Sequence, residues 1–249
     1  MPRQVLYKPP HPLTEPWPPE RPEPGLLSDE PARVVYHAAC LSIAEALTPL
    51  GFKYAKSKQR CSRQAGDLQE DVSFQSSHYN GSGRHVQLWL HAKVASRALQ
   101  AWRQKRLPNE LASAHVAGGM VHLLDTQYAL VQWELADPRD RRQTIDDAVA
   151  FIRSDVLPYF ARFSDTAGLI SLLAEQAVPA FDLVPSVEFA HCFGGKDQAQ
   201  AVLDRFLRDR RDVEPAIALE VANPSPSTLL RPGNYVQQVV YLKHLYGLA

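Results

Sequence analysis

The sequence predicts an α+β fold with an N-terminal helix, an antiparallel sheet of about five strands and a C-terminal helical layer. Three observations support this prediction. Residues 85–94 alternate between apolar and polar side chains, which is the period-two pattern of a half-buried strand. Two polar strands separated by a Gly-Asp turn precede it, after Gly51. From Asp140 onward, apolar residues recur with the helical period instead.

The chain divides into three predicted segments. Residues 1–30 contain nine prolines, which exclude a helix or a central strand and favour an extended arm. Residues 31–136 contain a helix and the antiparallel meander, and the helix is expected to begin near Asp29 or Glu30 and to stop at Gly51. Residues 137–249 form a helical layer that is expected to pack on the sheet, within the same domain as 31–136.

Composition limits the possible function classes. The 249 residues are 45% hydrophobic, which is enough to bury a core. With 27 basic and 27 acidic residues the net charge is zero, which argues against general nucleic-acid binding. The first residues lack the apolar core of a secretion signal, and no apolar run approaches the roughly 18 residues of a membrane span. Three scattered cysteines without a CxxC pair favour a reducing cytoplasm, so we expect a cytoplasmic protein without a membrane contact.

The strand at residues 85–94 separates two sets of side chains. The apolar set is expected to face the core and contains Val86, Leu88, Leu90, Ala92 and Val94. The opposite set includes Trp89 between polar residues, and aromatic residues are enriched where proteins bind partners. The alternative is that a helix or the N-terminal arm covers Trp89, because large apolar side chains are usually covered.

Polar side chains of the neighbouring strands extend this candidate surface. Arg63 and Gln75 are expected to lie beside His85 and His91, where they could form a polar pocket for a ligand or a face for a partner. The alternative is a set of cross-strand pairs on a solvated face. The candidate partner- or ligand-binding face therefore consists of Arg63, Gln75, His85, Gln87, Trp89 and His91.

Two further strands are predicted at Gly118–Leu124 and at residues 127–135. Asp125 and Thr126 lie between them and favour a tight hairpin turn. These strands would bring the sheet to five.

Known catalytic and cofactor motifs are absent from the sequence. It contains no GxSxG, Walker, GxGxxG or HExxH pattern. His37 and Cys40 lie three residues apart on the first predicted helix, but two ligands without a second pair make a weak metal site. We therefore expect no catalytic residue, no metal and no cofactor.

Four short motifs resemble a family of uncharacterised bacterial proteins catalogued as domain of unknown function 4304. They are Gly51-Phe52-Lys53, Cys61-Ser62-Arg63, Gly66-Asp67-Leu68 and Val72-Ser73-Phe74-Gln75-Ser76. The resemblance covers about residues 32–96, although Cys61 stands where the family usually has an aromatic residue. It implies an α+β fold and no reaction, because the family has no established catalytic residues. Its members resemble accessory genes of bacterial competition or defence loci, which implies an immunity or antitoxin role.

Three function hypotheses follow. The first is a non-catalytic protein that binds a protein partner, such as a toxin, through the face around Trp89. The second is an enzyme or small-ligand protein that uses a pocket formed by Arg63, Gln75, His85 and His91. The third is a structural subunit of a larger assembly, with the proline-rich arm and the last helix as docking elements. A deep pocket at those four residues would distinguish the second hypothesis from the first.

Overall fold

The computed structural model describes residues 30–109, 111–124, 130–211, 215–217 and 234–249. It confirms the predicted α+β class, with a helix before an antiparallel sheet and a helical layer after it. The proline-rich arm lies outside the described residues, apart from Glu30. Glu30 pairs with Arg141 at 2.9 Å.

Within the described ranges, six antiparallel strands form the sheet. They are β1 (Lys53–Ala55), β2 (Arg60–Ala65), β3 (Leu68–Ser76), β4 (Gln87–Ser96), β5 (His115–Met120) and β6 (Trp133–Glu134). Their order is β1-β2-β3-β4-β5, and β6 pairs with β4 beyond the end of β5. The longest strand, β4, therefore has β3 on one side and both β5 and β6 on the other.

The described helices precede and follow the strands in the chain. In chain order they are α1 (Ala32–Leu47), α2 (Arg97–Gln104), α3 (Arg141–Phe151), α4 (Leu157–Ala161), α5 (Thr166–Glu175), α6 (Leu183–Gly194), α7 (Lys196–Asp209) and α8 (Tyr235–Tyr246). A π-helical turn at Ile152–Val156 joins α3 to α4, where Pro158 lies in the first turn. Asp165 caps α5 through a bond from the Gly168 amide, and Gly195, with φ of +88°, ends α6.

The alternation in β4 separates a covered face from an open one. All five apolar residues predicted for the core are at most 2% exposed. They pack in one core with α1, whose buried side includes Tyr36, Cys40 and Ile43. We call this side of the sheet the helix face. Burial of large apolar side chains here provides most of the driving force for folding.

The start of α1 differs from the prediction. The helix begins at Ala32 after Pro31, which supplies no side-chain cap, and the Ala32 amide donates instead to Ser82 Oγ at 3.2 Å. The predicted stop is confirmed, because Gly51 follows one 3-10 turn with φ of +86°. A left-handed residue at this place favours glycine, which has no Cβ to clash.

The predicted hairpin between the last two strands is wrong. Both β5 and β6 pair with β4, and they lie one after the other along it. Ala92 is opposite Gly119, whereas Leu88 is opposite Trp133. The ten residues of β4 are long enough for both partners, and pairing there buries Trp133 to 7% exposure. The predicted turn at residues 125–126 lies outside the described residues.

The short motifs of residues 51–75 have structural roles. Gly66 adopts φ of +61° in the two-residue turn that joins β2 to β3. Asp67, the next residue, accepts hydrogen bonds from the Ser96 hydroxyl and from the Ala98 amide, and so caps α2. Phe52 is 2% exposed beneath the guanidinium of Arg63, 4.7 Å from the ring centre. These residues fix the turns and the end of the sheet.

A buried ion pair joins the sheet region to the C-terminal helices. Arg103 on α2 contacts Glu188 on α6 through Nε at 2.7 Å and Nη2 at 2.6 Å, and both residues are at most 4% exposed. Arg103 Nη1 also donates to the carbonyls of Ser113 and His115, each at 2.6 Å. The hydroxyl of Tyr246 on α8 donates to the other oxygen of Glu188 at 2.6 Å. Every charge in this network therefore has several partners.

We expect Gly118→Ala to destabilise the protein. Gly118 has φ of +123°, and a Cβ there would lie 2.2 Å from the Ala92 carbonyl oxygen. Backbone strain alone costs about 1–3 kcal/mol, so we expect a loss of at least about 2 kcal/mol in the free energy of unfolding. Gly119→Ala is the matched control, because its Cβ would lie 3.4 Å from Leu123 Cδ1. Urea unfolding of both variants measures the difference, and equal midpoints would contradict the close approach of β5 to β4.

We also expect Arg103→Leu to destabilise the protein, because it leaves Glu188 buried without its cation. Removing one partner of a buried pair costs about 3–5 kcal/mol. Arg97→Leu on the same helix is the control, since Arg97 is exposed and such changes usually stay within about 0.5 kcal/mol. The free energies of unfolding in urea provide the comparison. Similar losses for the two variants would show that the pair does not hold the helices to the sheet.

Candidate functional site

The side of the sheet opposite the helix face carries the candidate site. Directly paired residues of antiparallel strands share a face, so the register assigns each side chain to one side. Through this register we define the open face as Lys53, Ala55, Arg60, Ser62, Gln64, Gln69, Asp71, Ser73, Gln75, Gln87, Trp89, His91, Lys93, Ala95, His115, Gly118, Met120 and Glu134. Five of these are exposed, namely Lys53, Gln64, Gln75, Lys93 and Glu134.

Trp89 lies half-buried near one end of this face. Its indole Nε1 donates to Gln132 Oε1 at 3.3 Å, and Gln132 immediately precedes β6. Its cross-strand partner Gln75 is exposed. The side chain that bonds Trp89 thus comes from the segment before β6, and the indole keeps part of its surface accessible.

His91 occupies the next position on the open face. Its Nε2 lies 2.6 Å from Gln75 Oε1, so Nε2 carries the proton and donates to the amide oxygen. Burial lowers the pKa of His91 below its usual value, and His122 lowers it further by charge repulsion. Burial also lowers the pKa of His122. Both imidazoles are therefore neutral at pH 7 and add no charge to this face.

A structural ion pair lies beneath the middle of the open face. Asp71 is only 2% exposed, and Arg60 Nη1 contacts its carboxylate at 3.1 Å. Gln69 Nε2 donates to both carboxylate oxygens, at 3.0 and 3.2 Å. The carboxylate is thereby satisfied within the sheet, which agrees with the rule that buried charges are paired and hydrogen-bonded.

Arg63, predicted for the same polar face, lies on the opposite side. It is paired with Glu70, and Glu70 shares its parity with Val72 and Phe74 of the core. On the helix face its guanidinium contacts Glu70 Oε2 at 2.5 Å and donates to the Leu50 carbonyl at 3.1 Å. The assignment was wrong because side chains alternate, and Arg63 follows Cys61 by two residues into the core side.

Gln87 and His85 are not available for binding in the way that was predicted. Gln87 is 1% exposed, and the Asn80 side chain bonds both its backbone groups, at 2.8 and 3.0 Å, as a neighbouring strand would. His85 precedes β4 and pairs with Glu134, whose other carboxylate oxygen accepts from the Val86 amide at 2.7 Å. Of the six predicted residues, the structure thus brings Gln75, Trp89 and His91 together on an accessible surface.

Three cavities bordered by described residues lie elsewhere. One of them, about 760 Å³, is lined by residues that include Val184 on α6, Arg205 on α7 and Tyr235 on α8. A second of about 350 Å³ borders the start of α1, and a third of about 230 Å³ borders Arg103 and His115. None of the three is lined by Gln75, Trp89 or His91. The pocket proposed from Arg63, Gln75, His85 and His91 is not assembled, because Arg63 lies on the other face.

Two buried cysteines are poor candidates for nucleophiles. Burial raises the pKa of the Cys40 and Cys61 thiols to about 12, which keeps them protonated and weakly nucleophilic. Within the described ranges, no group of three or more His, Cys, Asp or Glu side chains could hold a metal ion. The helices of those ranges include none with the length and apolar character needed to cross a bilayer.

Comparison with known proteins identifies one family. No curated protein and no solved structure matches the chain. The family model described as Domain of unknown function (DUF4304) matches residues 43–162, from the second half of α1 to the end of α4. The match includes all six strands and is longer than the segment predicted from the motifs. It confirms the predicted resemblance to this family of unknown function over residues 43–162.

Proposed function

We propose that this chain is a non-catalytic protein that binds a protein partner through the open face of its sheet. The observation that carries the proposal is the cluster formed by Trp89, Gln75 and His91. An indole with accessible surface lies there on a hydrogen-bonded strand, beside an exposed amide and a neutral imidazole. Tryptophan is among the residues that contribute most to binding energy at protein interfaces.

The surrounding structure supports binding rather than catalysis. The cluster lies on the central strands β3 and β4, whose nine paired positions hold the side chains at fixed spacing. Rigid support lowers the entropy that a surface loses when it binds. The three cavities lie away from the cluster, which favours a broad partner over a small ligand.

The family resemblance adds a more specific hypothesis about the partner. Members of this family resemble accessory genes of bacterial competition and defence loci, so we propose a toxin as the partner and an immunity or antitoxin role for this chain. This part of the proposal depends on the resemblance alone.

We expect the double variant Trp89→Ala/His91→Ala to lose partner capture while it stays folded. Removing a central interface tryptophan costs about 2 kcal/mol or more, which is roughly thirtyfold in Kd. The tagged protein is used to capture partners from a lysate of the organism that encodes it, and the captured proteins are identified by mass spectrometry. Circular dichroism reports whether the variant is folded.

A matched control and a second variant make this test decisive. Val34→Ala/Leu41→Ala changes two side chains on α1 that are 53% and 50% exposed, so it should leave capture unchanged. Gln75→Arg places a bulky side chain at an exposed position of the open face and should block capture without opening a cavity. Normal capture by both open-face variants would refute the proposed face.

A further inference from the structure

The cavity of about 350 Å³ lies where the first turns of α1 meet the end of β3. Its described lining is almost entirely polar and includes Arg33, His37, Gln59 and Ser77. Ala32 is the one lining residue among them without a hydrogen-bonding side chain. No carboxylate borders the cavity among the described residues, whereas Arg33 adds a permanent positive charge.

The guanidinium of Arg33 is held at this cavity by a contact within α1. Its Nε donates to His37 Nε2 at 3.3 Å, one helical turn further along. The other two guanidinium nitrogens have no acceptor in the part of the chain that the structure describes. Glu30, the described carboxylate nearest to Arg33 in the sequence, pairs with Arg141 at 2.9 Å.

Gln59 borders the same cavity from the turn before β2. Its Oε1 accepts from the hydroxyl of Tyr36 at 3.0 Å, and Tyr36 is 2% exposed. The Nε2 group of Gln59 therefore remains a donor without an acceptor in the described ranges. Gln59 also has a left-handed backbone, with φ of +47°, which is uncommon for a residue with a Cβ. Such conformations concentrate at functional sites, where the surrounding structure enforces them.

Ser77 provides a third donor, and this one is buried. The residue is 5% exposed, and its Oγ accepts from the Tyr79 amide at 3.2 Å. Its hydroxyl proton has no acceptor among the described residues. Buried polar groups are normally satisfied, so an unused buried donor beside a cavity indicates an acceptor inside it. A guanidinium, an amide and a hydroxyl thus border one cavity and share the same unmet need.

The start of α1 adds a preference of the same sign. The helix has 16 residues, and Pro31 gives it no side-chain cap. The amide of Ala32 donates to Ser82 Oγ, but the amide of Arg33 has no acceptor in the described ranges. The first turn of a helix carries partial positive charge from such amides and favours an anion.

We propose that this cavity binds a phosphate group, which accepts hydrogen bonds from Arg33, Gln59 and Ser77. This site is separate from the open face and its protein partner. A phosphate presents several strong acceptor oxygens to the three donors, and its bonds to a guanidinium are among the stronger ones that proteins form. The cavity volume is near the lower end for ligand sites, which suits a phosphate with a small organic group.

An NMR titration of the full chain with inorganic phosphate tests the site. We expect saturable shifts of the amide signals of Arg33, His37 and Ser77. Arg33→Gln should weaken binding at least about tenfold, because it removes a charge-assisted hydrogen bond. Arg97→Gln is the matched control and should bind like the wild type. Arg97 is also exposed at the start of a helix, but the side chains of Ser96 and Asp67 cap that helix.

Two further variants separate a built site from an adventitious ion. Ser77→Ala removes the buried hydroxyl and should also weaken binding, whereas Trp89→Ala/His91→Ala should leave it unchanged. Shifts that do not saturate, equal losses in Arg33→Gln and Arg97→Gln, or undiminished binding by Ser77→Ala would show an adventitious ion only and overturn the proposal. Glycerol phosphate identifies the source of the group. Tighter binding than that of inorganic phosphate would support an ester as the ligand, and equal binding would support free phosphate.

Discussion

The alternation of side chains along β4 is the constraint on which the rest of the structure depends. Because successive residues point to opposite sides of a strand, one strand supplies both the core and the open face. Leu90 and Ala92 are buried under the helices, whereas Trp89 and His91, which alternate with them along the strand, are half-exposed. A shift of one residue in register would exchange the two sets, so burial of the apolar set fixes the position of the polar one.

Each face of the sheet contains an arginine paired with a buried carboxylate. On the helix face, Arg63 and Glu70 close the edge of the core next to Phe52. On the open face, Arg60 contacts Asp71, which is 2% exposed. Both pairs therefore satisfy a carboxylate that the sheet itself buries.

The sequence predicts the secondary-structure elements better than it predicts which residues of different elements contact one another. The period-two pattern was enough to identify the buried apolar set of β4, and Gly51 marked the end of the first helix, because these signals are local. Arg63 was assigned to the wrong face because its pairing with Glu70 depends on the strand register, which the sequence does not show directly. Its spacing of two residues from the buried Cys61 nevertheless indicated the core side. Arg103 meets Glu188 across 85 residues, and no local sequence pattern encodes that contact.

The most direct measurement is oxidative footprinting of the side chains with and without the captured partner. Binding at the open face predicts that Trp89, His91 and Met120 lose labelling in the complex. Val34, Leu41 and Tyr79, which are exposed elsewhere, should keep theirs. Protection of the α1 residues, with unchanged labelling of Trp89 and Met120, would contradict the assignment of the binding surface to the sheet.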